Sequence, residues 1–161
     1  MSTTVDLQQT ASAYLAGHPE FDRLVIGAAI SHQSAVLIVQ RASHERAFPD
    51  QWEIPGGGVD PLETIEQAVV REVFEETNLK VTKVTRQFEG FDYVTKNDEG
   101  DEGTKRSVQL NFCVQVENPE DVKLAPEEHQ DFAWCTQTNI AQFQMTPAMH
   151  TVVTNALAQT A

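Results

Sequence analysis

Residues 52–79 read WEIPGGGVDPLETIEQAVVREVFEETNL, and this stretch decides the fold. Trp52–Ile54 is short strand text, ended by Pro55 and three consecutive glycines. Glycine lacks a Cβ and reaches positive φ freely, so Gly56, Gly57 and Gly58 let the backbone approach a ligand or ion closely. Beyond them, Leu62, Ile65, Val69 and Val73 recur at helical spacing. The pattern predicts a helix over 61–78, with Pro61 in its first turn and Asn78 as a left-handed terminator.

That helix carries Glu72, Glu75 and Glu76 at i, i+3 and i+4, so the three carboxylates lie within about 100° of one face. Their arc overlaps the stripe of Ile65, Ala68 and Val69, which turns them partly inward. They also crowd the last two turns, where the helix dipole disfavours negative charge. A divalent cation is the simplest compensation; the plain alternative is a solvated acidic helix end. Oxygen ligands with no His or Cys nearby in the sequence point to Mg²⁺ or Mn²⁺ rather than zinc. A strand, a glycine loop and an acid-bearing helix in direct succession form a cradle for metal and phosphate. It is neither a P-loop nor a dinucleotide fingerprint, since no Gly-Lys-Ser/Thr and no G-x-G-x-x-G occurs.

On either side the chain mixes strand and helix text without strict alternation. Residues 4–16 read as a short helix stopped by Gly17, His18 and Pro19. Arg23–Ser31 and Ala35–Arg41 form a hairpin about SHQS, and Ser43–Gln51 is a polar loop. Long strands are expected over 80–93 and 106–116, joined by an exposed acidic turn, NDEGDEG, at 97–103. A strand at 131–136 and a helix at 147–159 complete the chain. Strands mixed with a few helices predict an α/β sandwich with a mixed sheet. The expected division is an N-terminal helical extension, 1–20, and one domain over 21–161.

The 161 residues are 40% hydrophobic, enough for one packed domain. The formal charge of −13 repels a phosphate backbone, which argues against long nucleic acid or an anionic membrane as partner. A small anionic ligand remains compatible if a bound cation neutralises the site locally. No apolar run approaches the roughly 20 residues of a membrane span. MSTTVDLQQT carries no signal-peptide pattern, and the two cysteines, Cys113 and Cys135, read as buried free thiols. A cytoplasmic, reducing compartment is expected.

The central stretch resembles the Nudix hydrolase family, whose box is G-x5-E-x7-R-E-U-x-E-E-x-G-U, with U a bulky aliphatic residue. Gly57, Glu63, Arg71-Glu72-Val73-Phe74-Glu75-Glu76 and Leu79 fall at the box positions, and Asn78 alone departs, replacing the last glycine. Asn tolerates left-handed backbone next best. The flanking VLIVQRA, Trp52-Glu53-Ile54-Pro55 and EEHQDFAW are similar to the family as well. The resemblance implies an α/β/α sandwich. It also implies hydrolysis of a phosphoanhydride in a nucleoside diphosphate linked to another group, with Mg²⁺ or Mn²⁺. In its terms Glu72, Glu75 and Glu76 are metal ligands, with the Gly56 carbonyl as a fourth. Glu63 and Arg71 brace the loop that holds Gly57 against the helix. The base is Glu75, Glu76 or a glutamate of a later loop, Glu127 or Glu128. Dimers are common in the family, which leaves a homodimer open.

Other residues carry two readings each. Arg41 ends a strand where family members often hold a phosphate, or is a solvated strand end. Trp52 stacks on a base or packs in the core, and Tyr93, with Phe91, lines a pocket or packs. His129, within EEHQDFAW, reads as structural. The substrate reading, reached mostly by exclusion, is a small diphosphate: a nucleoside triphosphate, damaged or not, or a related nucleoside diphosphate derivative. The alternatives are a prenyl or other non-nucleotide diphosphate, and a nucleotide-sensing module without turnover. An isoprenoid diphosphate isomerase ranks below these, for want of a longer chain.

Overall fold

A computed structural model describes residues 4–96 and 103–160. Its strands are β1 (Arg23–His32), β2 (Ala35–Arg41), β3 (Trp52–Glu53), β4 (Gly56–Gly58), β5 (Val81–Lys96), β6 (Thr104–Val116) and β7 (His129–Cys135). The helices are α1 (Ala11–Ala16), α2 (Ile65–Thr77) and α3 (Pro147–Gln159). The sheet is mixed, as expected: β1 runs parallel to β6, and every other pairing is antiparallel.

β1 organises the sheet. Leu24 to Ile30, Gly27 included, is an unbroken buried run, the pattern of a strand covered on both faces. Leu24, Ile26, Ala28 and Ile30 pack towards α1 and α2, while Ala29 packs towards α3. α2 contributes Ile65, Ala68, Val69 and Val73 to the first cluster, and α3 contributes Val152, Val153, Ala156 and Leu157 to the second. Gln33 and Ser34, at φ 51° and 65°, make the two-residue turn between β1 and β2.

The two strands then part. They pair only at Ser31–Val36 and His32–Ala35. Beyond that, β1 takes β4 and β6 as neighbours, and β2 takes β3 and β7. The WEIPGGG segment crosses this split, its first half on β2 and its second half on β1. Ala28 N–H donates to the Pro55 carbonyl at 2.8 Å where it crosses. The glycines therefore form an extended strand, not the positive-φ loop that glycine permits; the one positive-φ glycine among the described residues is Gly103. What they supply is the missing Cβ. A Cβ at Gly56 would strike the Ile26 carbonyl, and one at Gly57 would strike the Glu72 carboxylate.

α2 starts at Ile65, four residues later than Pro61, and the N-terminal segment explains why. The carbonyls of Pro61 and Glu63 accept from Ser12 and Ala11 N–H, at 3.0 and 3.2 Å, and so serve α1. The first helical amides, Ile65 and Glu66, donate outward to Gln9 and Leu7 carbonyls at 3.0 Å. Thr64 and Gln67 close a capping box, Thr64 Oγ1 accepting from Gln67 N–H and Gln67 Oε1 from Thr64 N–H. Residues 7–10 are thus held by α2 rather than coiled into α1, which shortens the expected first helix to Ala11–Ala16. Asn78 ends α2 in the left-handed region, at φ 67°. Residues 97–102 of the expected acidic turn lie outside the described residues.

Candidate active site

Glu72, Glu75 and Glu76 of α2 divide by depth. Glu76 is 3% exposed and accepts from Gly56 N–H at 2.9 Å. The Glu72 side chain is 13% exposed and lies over the bare Cα of Gly57, while that of Glu75 is 56% exposed. A 100° step per residue, starting from a stripe that faces β1 and β4, produces this gradient. At Gly56 the contact seen is through the amide, not the carbonyl.

Arg71 gathers the box. Its Nε and Nη2 donate to the two oxygens of Glu63 at 2.7 and 2.8 Å, Nη2 also to the Gly58 carbonyl at 3.0 Å. Nη1 reaches Glu72 at 2.9 Å and Glu75 at 3.2 Å. The bidentate arginine holds the Glu63 carboxyl below its ordinary range, and the arginine rises in turn. Glu76 receives no such partner: among the described residues it makes no ion pair. Burial pushes its carboxyl well above the ordinary range; Gly56 N–H opposes this, and the charges of Glu53, Glu72 and Glu128 add to it. Burial raises Glu72 as well, against the pull of Arg71.

Around Glu76 stand groups from β3, β7 and the turn that precedes β7. One oxygen each of Glu76 and Glu128 and one ring nitrogen of His129 lie within 4.8 Å of one another, a donor set that could hold a metal ion. Of the two later-loop glutamates, Glu128 enters this cluster. Glu127 is exposed, and its carbonyl accepts from His44 Nε2 at 2.8 Å. His129 Nε2 meets Glu53 Oε2 at 2.9 Å, and Glu53 receives Arg41 Nη1 at 3.3 Å. Arg41 Nε also donates to the Ala47 carbonyl at 2.8 Å, tying the loop after β2 to the same chain of contacts. A buried carboxylate without a cationic partner, beside further oxygen donors, suits a hard divalent cation.

Trp52 and Tyr93 stand elsewhere. Trp52 precedes Glu53 on β3 and therefore faces the opposite side of the sheet. It meets the Phe143 ring at 4.9 Å, edge to face, within the α3 cluster. Tyr93 lies beside Phe91, ring centroids 5.6 Å apart, and no hydrogen bond among the described residues joins it to the acids. Sequence reasoning missed Glu53 as a member of the site and gave His129 a structural part. The signal for Glu53 was strand alternation: with Trp52 and Ile54 in the α3 core, Glu53 must face α2. Cys113 and Cys135 are free thiols; burial raises both, Cys135 to about 11.

The family model of the NUDIX domain matches residues 22–156. The chain belongs to the NUDIX family and is a Nudix hydrolase. It is similar to the nucleoside triphosphatase NudI of Escherichia coli K12, at 32% identity over 132 residues, covering 78% of this chain and 90% of NudI. NudI of Escherichia fergusonii matches to the same extent. Among solved structures, the MutT NUDIX hydrolase of Burkholderia pseudomallei superposes with a TM-score of 0.64 at 24% identity, covering 86% of this chain and 98% of that one. The NUDIX domain of Shewanella oneidensis NrtR, crystallised with ADP ribose, gives 0.62 at 21% identity, covering 95% and 100%. At those identities the two structures speak for the fold. No helix among the described residues is long and apolar enough to cross a membrane.

Proposed function

We propose that this chain hydrolyses a phosphoanhydride bond of a nucleoside triphosphate, with Mg²⁺ or Mn²⁺ as cofactor. The observation that carries the reading is the Glu76 carboxylate, buried without a cationic partner and faced by Glu128, beside a glycine strand whose missing side chains let the Glu72 carboxylate close in. The similarity to NudI supports a nucleoside triphosphate as substrate class. Glu72, Glu75 and Glu76 would hold the cation, joined by Glu128. Bound there, a divalent cation offsets charge on the phosphate oxygens and eases deprotonation of water.

The chain's own residues do the rest. Glu128, exposed at the mouth of the cluster, takes the proton from the attacking water. The water oxygen bonds to phosphorus as the anhydride P–O bond between the α and β phosphates breaks, and the products are a nucleoside monophosphate and inorganic diphosphate. Arg41 exchanges its contact with Ala47 for a substrate phosphate oxygen. Arg71 keeps Glu63, Glu72 and the glycine strand in place without touching substrate. A cytoplasmic setting belongs to the same reading.

The test is a screen of ordinary and oxidised nucleoside triphosphates, ADP-ribose, dinucleoside polyphosphates and prenyl diphosphates. Wild type and Glu76→Gln are compared with Mg²⁺ and Mn²⁺, and products are identified by mass. Triphosphate cleavage by wild type, depressed by orders of magnitude in the variant, is expected. Cleavage of prenyl diphosphate alone would replace the substrate class, and nucleotide binding without product would replace hydrolysis by sensing.

A further inference from the structure

His129 is 2% exposed, yet only one of its ring nitrogens has a partner. Nε2 is 2.9 Å from Glu53 Oε2. An ionised carboxylate only accepts hydrogen bonds, so Nε2 is the donor, and in the tautomer this contact selects the free lone pair is on Nδ1. Nδ1 is buried with no hydrogen-bond partner among the described residues. Buried polar atoms in native proteins are nearly always paired, and an exception calls for a missing ion or water.

The surroundings say which. A ring nitrogen of His129 and oxygens of Glu76 and Glu128 lie within 4.8 Å of one another. Donors on opposite sides of one ion, at metal–oxygen distances of about 2.1 Å, stand roughly 4.2 Å apart. With the unpartnered Nδ1 as the nitrogen turned to the acids, three donors this close are spaced to share a single cation after a small contraction. The Glu53 contact has the form expected of a metal-bound histidine, which donates its other N–H to a carboxylate that fixes tautomer and ring orientation. Arg41, 3.3 Å from Glu53, steadies that carboxylate in turn.

We propose that His129 is a nitrogen ligand of the divalent-cation site, through Nδ1, beside Glu76 and Glu128, with Glu53 as the residue that positions the ring. The inference rests on the cation-dependent reading above and adds a donor that helical spacing alone does not supply. Its consequence is metal preference. Imidazole favours transition metals over Mg²⁺, which keeps to oxygen, so the site takes Mn²⁺ ahead of Mg²⁺.

Pulsed EPR of the full chain with one equivalent of Mn²⁺ tests this independently of turnover. Wild type should show the ¹⁴N modulation of a directly bound imidazole, replaced by ¹⁵N coupling when only histidine is ¹⁵N-labelled. In His129→Gln the coupling should vanish. Calorimetry should show Mn²⁺ affinity falling by about tenfold or more in that variant, and Mg²⁺ affinity by less than about threefold. If the variant fails to fold, the isotope comparison in wild type still decides. Bound Mn²⁺ that is lost in Glu76→Gln but carries no nitrogen coupling overturns the role of His129 and leaves the cation reading standing. No Mn²⁺ binding by wild type overturns both.

Discussion

Glu76→Gln should make the metal-free protein more stable while abolishing its response to divalent cations. Glu76 is buried, its one bond is to Gly56 N–H, and an oxygen of Glu128 lies within 4.8 Å of its own. One like charge at that separation costs about 0.9 kcal/mol in a water-like medium and about 3.5 kcal/mol at an effective dielectric of 20. Glu128 is exposed, so the lower figure applies to it. Desolvation of Glu76 adds to the cost. Glutamine removes the charge and keeps an oxygen for Gly56 N–H, a net gain of about 1–2 kcal/mol. At roughly 2–4 °C per kcal/mol for a chain of this size, the variant should melt about 2–8 °C above wild type in EDTA at pH 7.5.

The sign of the pH dependence follows from the same burial. The folded Glu76 carboxyl titrates well above its ordinary range, whereas the unfolded chain titrates near about 4.3. Between those values the native state holds the proton more tightly, so wild-type stability falls as pH rises through the folded value. The gap between variant and wild type should therefore narrow as the pH is lowered towards the ordinary carboxylate range. Millimolar Mg²⁺ should close or reverse it at pH 7.5, because only wild type gains by mass action. Calorimetric melts at several pH values, with EDTA or Mg²⁺, check all three statements. A variant that melts at or below wild type in EDTA at pH 7.5 would refute the reasoning.

Four further variants can be read from melts and assays. Gly56→Ala drives a Cβ into the Ile26 backbone carbonyl and should cost about 1–3 kcal/mol in denaturant titration. Gly57→Ala meets the end of the Glu72 side chain rather than backbone, so it should lose activity with a smaller change in melting; equal stability losses in the two would contradict this. Thr64→Ala removes the capping box from α2 and should lower stability by about 1 kcal/mol without altering kcat. Asn78→Gly relieves a left-handed non-glycine residue and should raise stability by several tenths of a kcal/mol, measured by urea midpoint at constant m.

Much of the site could be read from one helix because its acids are local to each other. The i, i+3, i+4 spacing of Glu72, Glu75 and Glu76 sets their common face whatever the helix packs on. Glu63 and Arg71, eight residues apart, meet through the turn that precedes the helix and its first two turns. Where α2 begins was not legible. Thr64 and Gln67 spell a capping box, but Pro61 competes with it as a start signal, and the choice falls to Ser12 and Ala11, whose amides claim the carbonyls of Pro61 and Glu63. β4 escaped notice for a related reason: three glycines have no strand propensity, and only the neighbouring β1 makes them extended.

Local sequence thus determined the mixed α/β class, the hairpin at Gln33-Ser34, the helices' apolar stripes and the family, each a matter of periodicity or fixed spacing within a few turns. Tertiary structure decided depth and company. It buried Glu76 and left Glu75 in solvent, because β1 and β4 cover one side of the stripe. It chose Glu128 over Glu127, and it brought Glu53 and His129, 76 residues apart, within 2.9 Å. That meeting requires β3 and β7 to flank β2 at a set register, a long-range pairing that neither segment encodes alone.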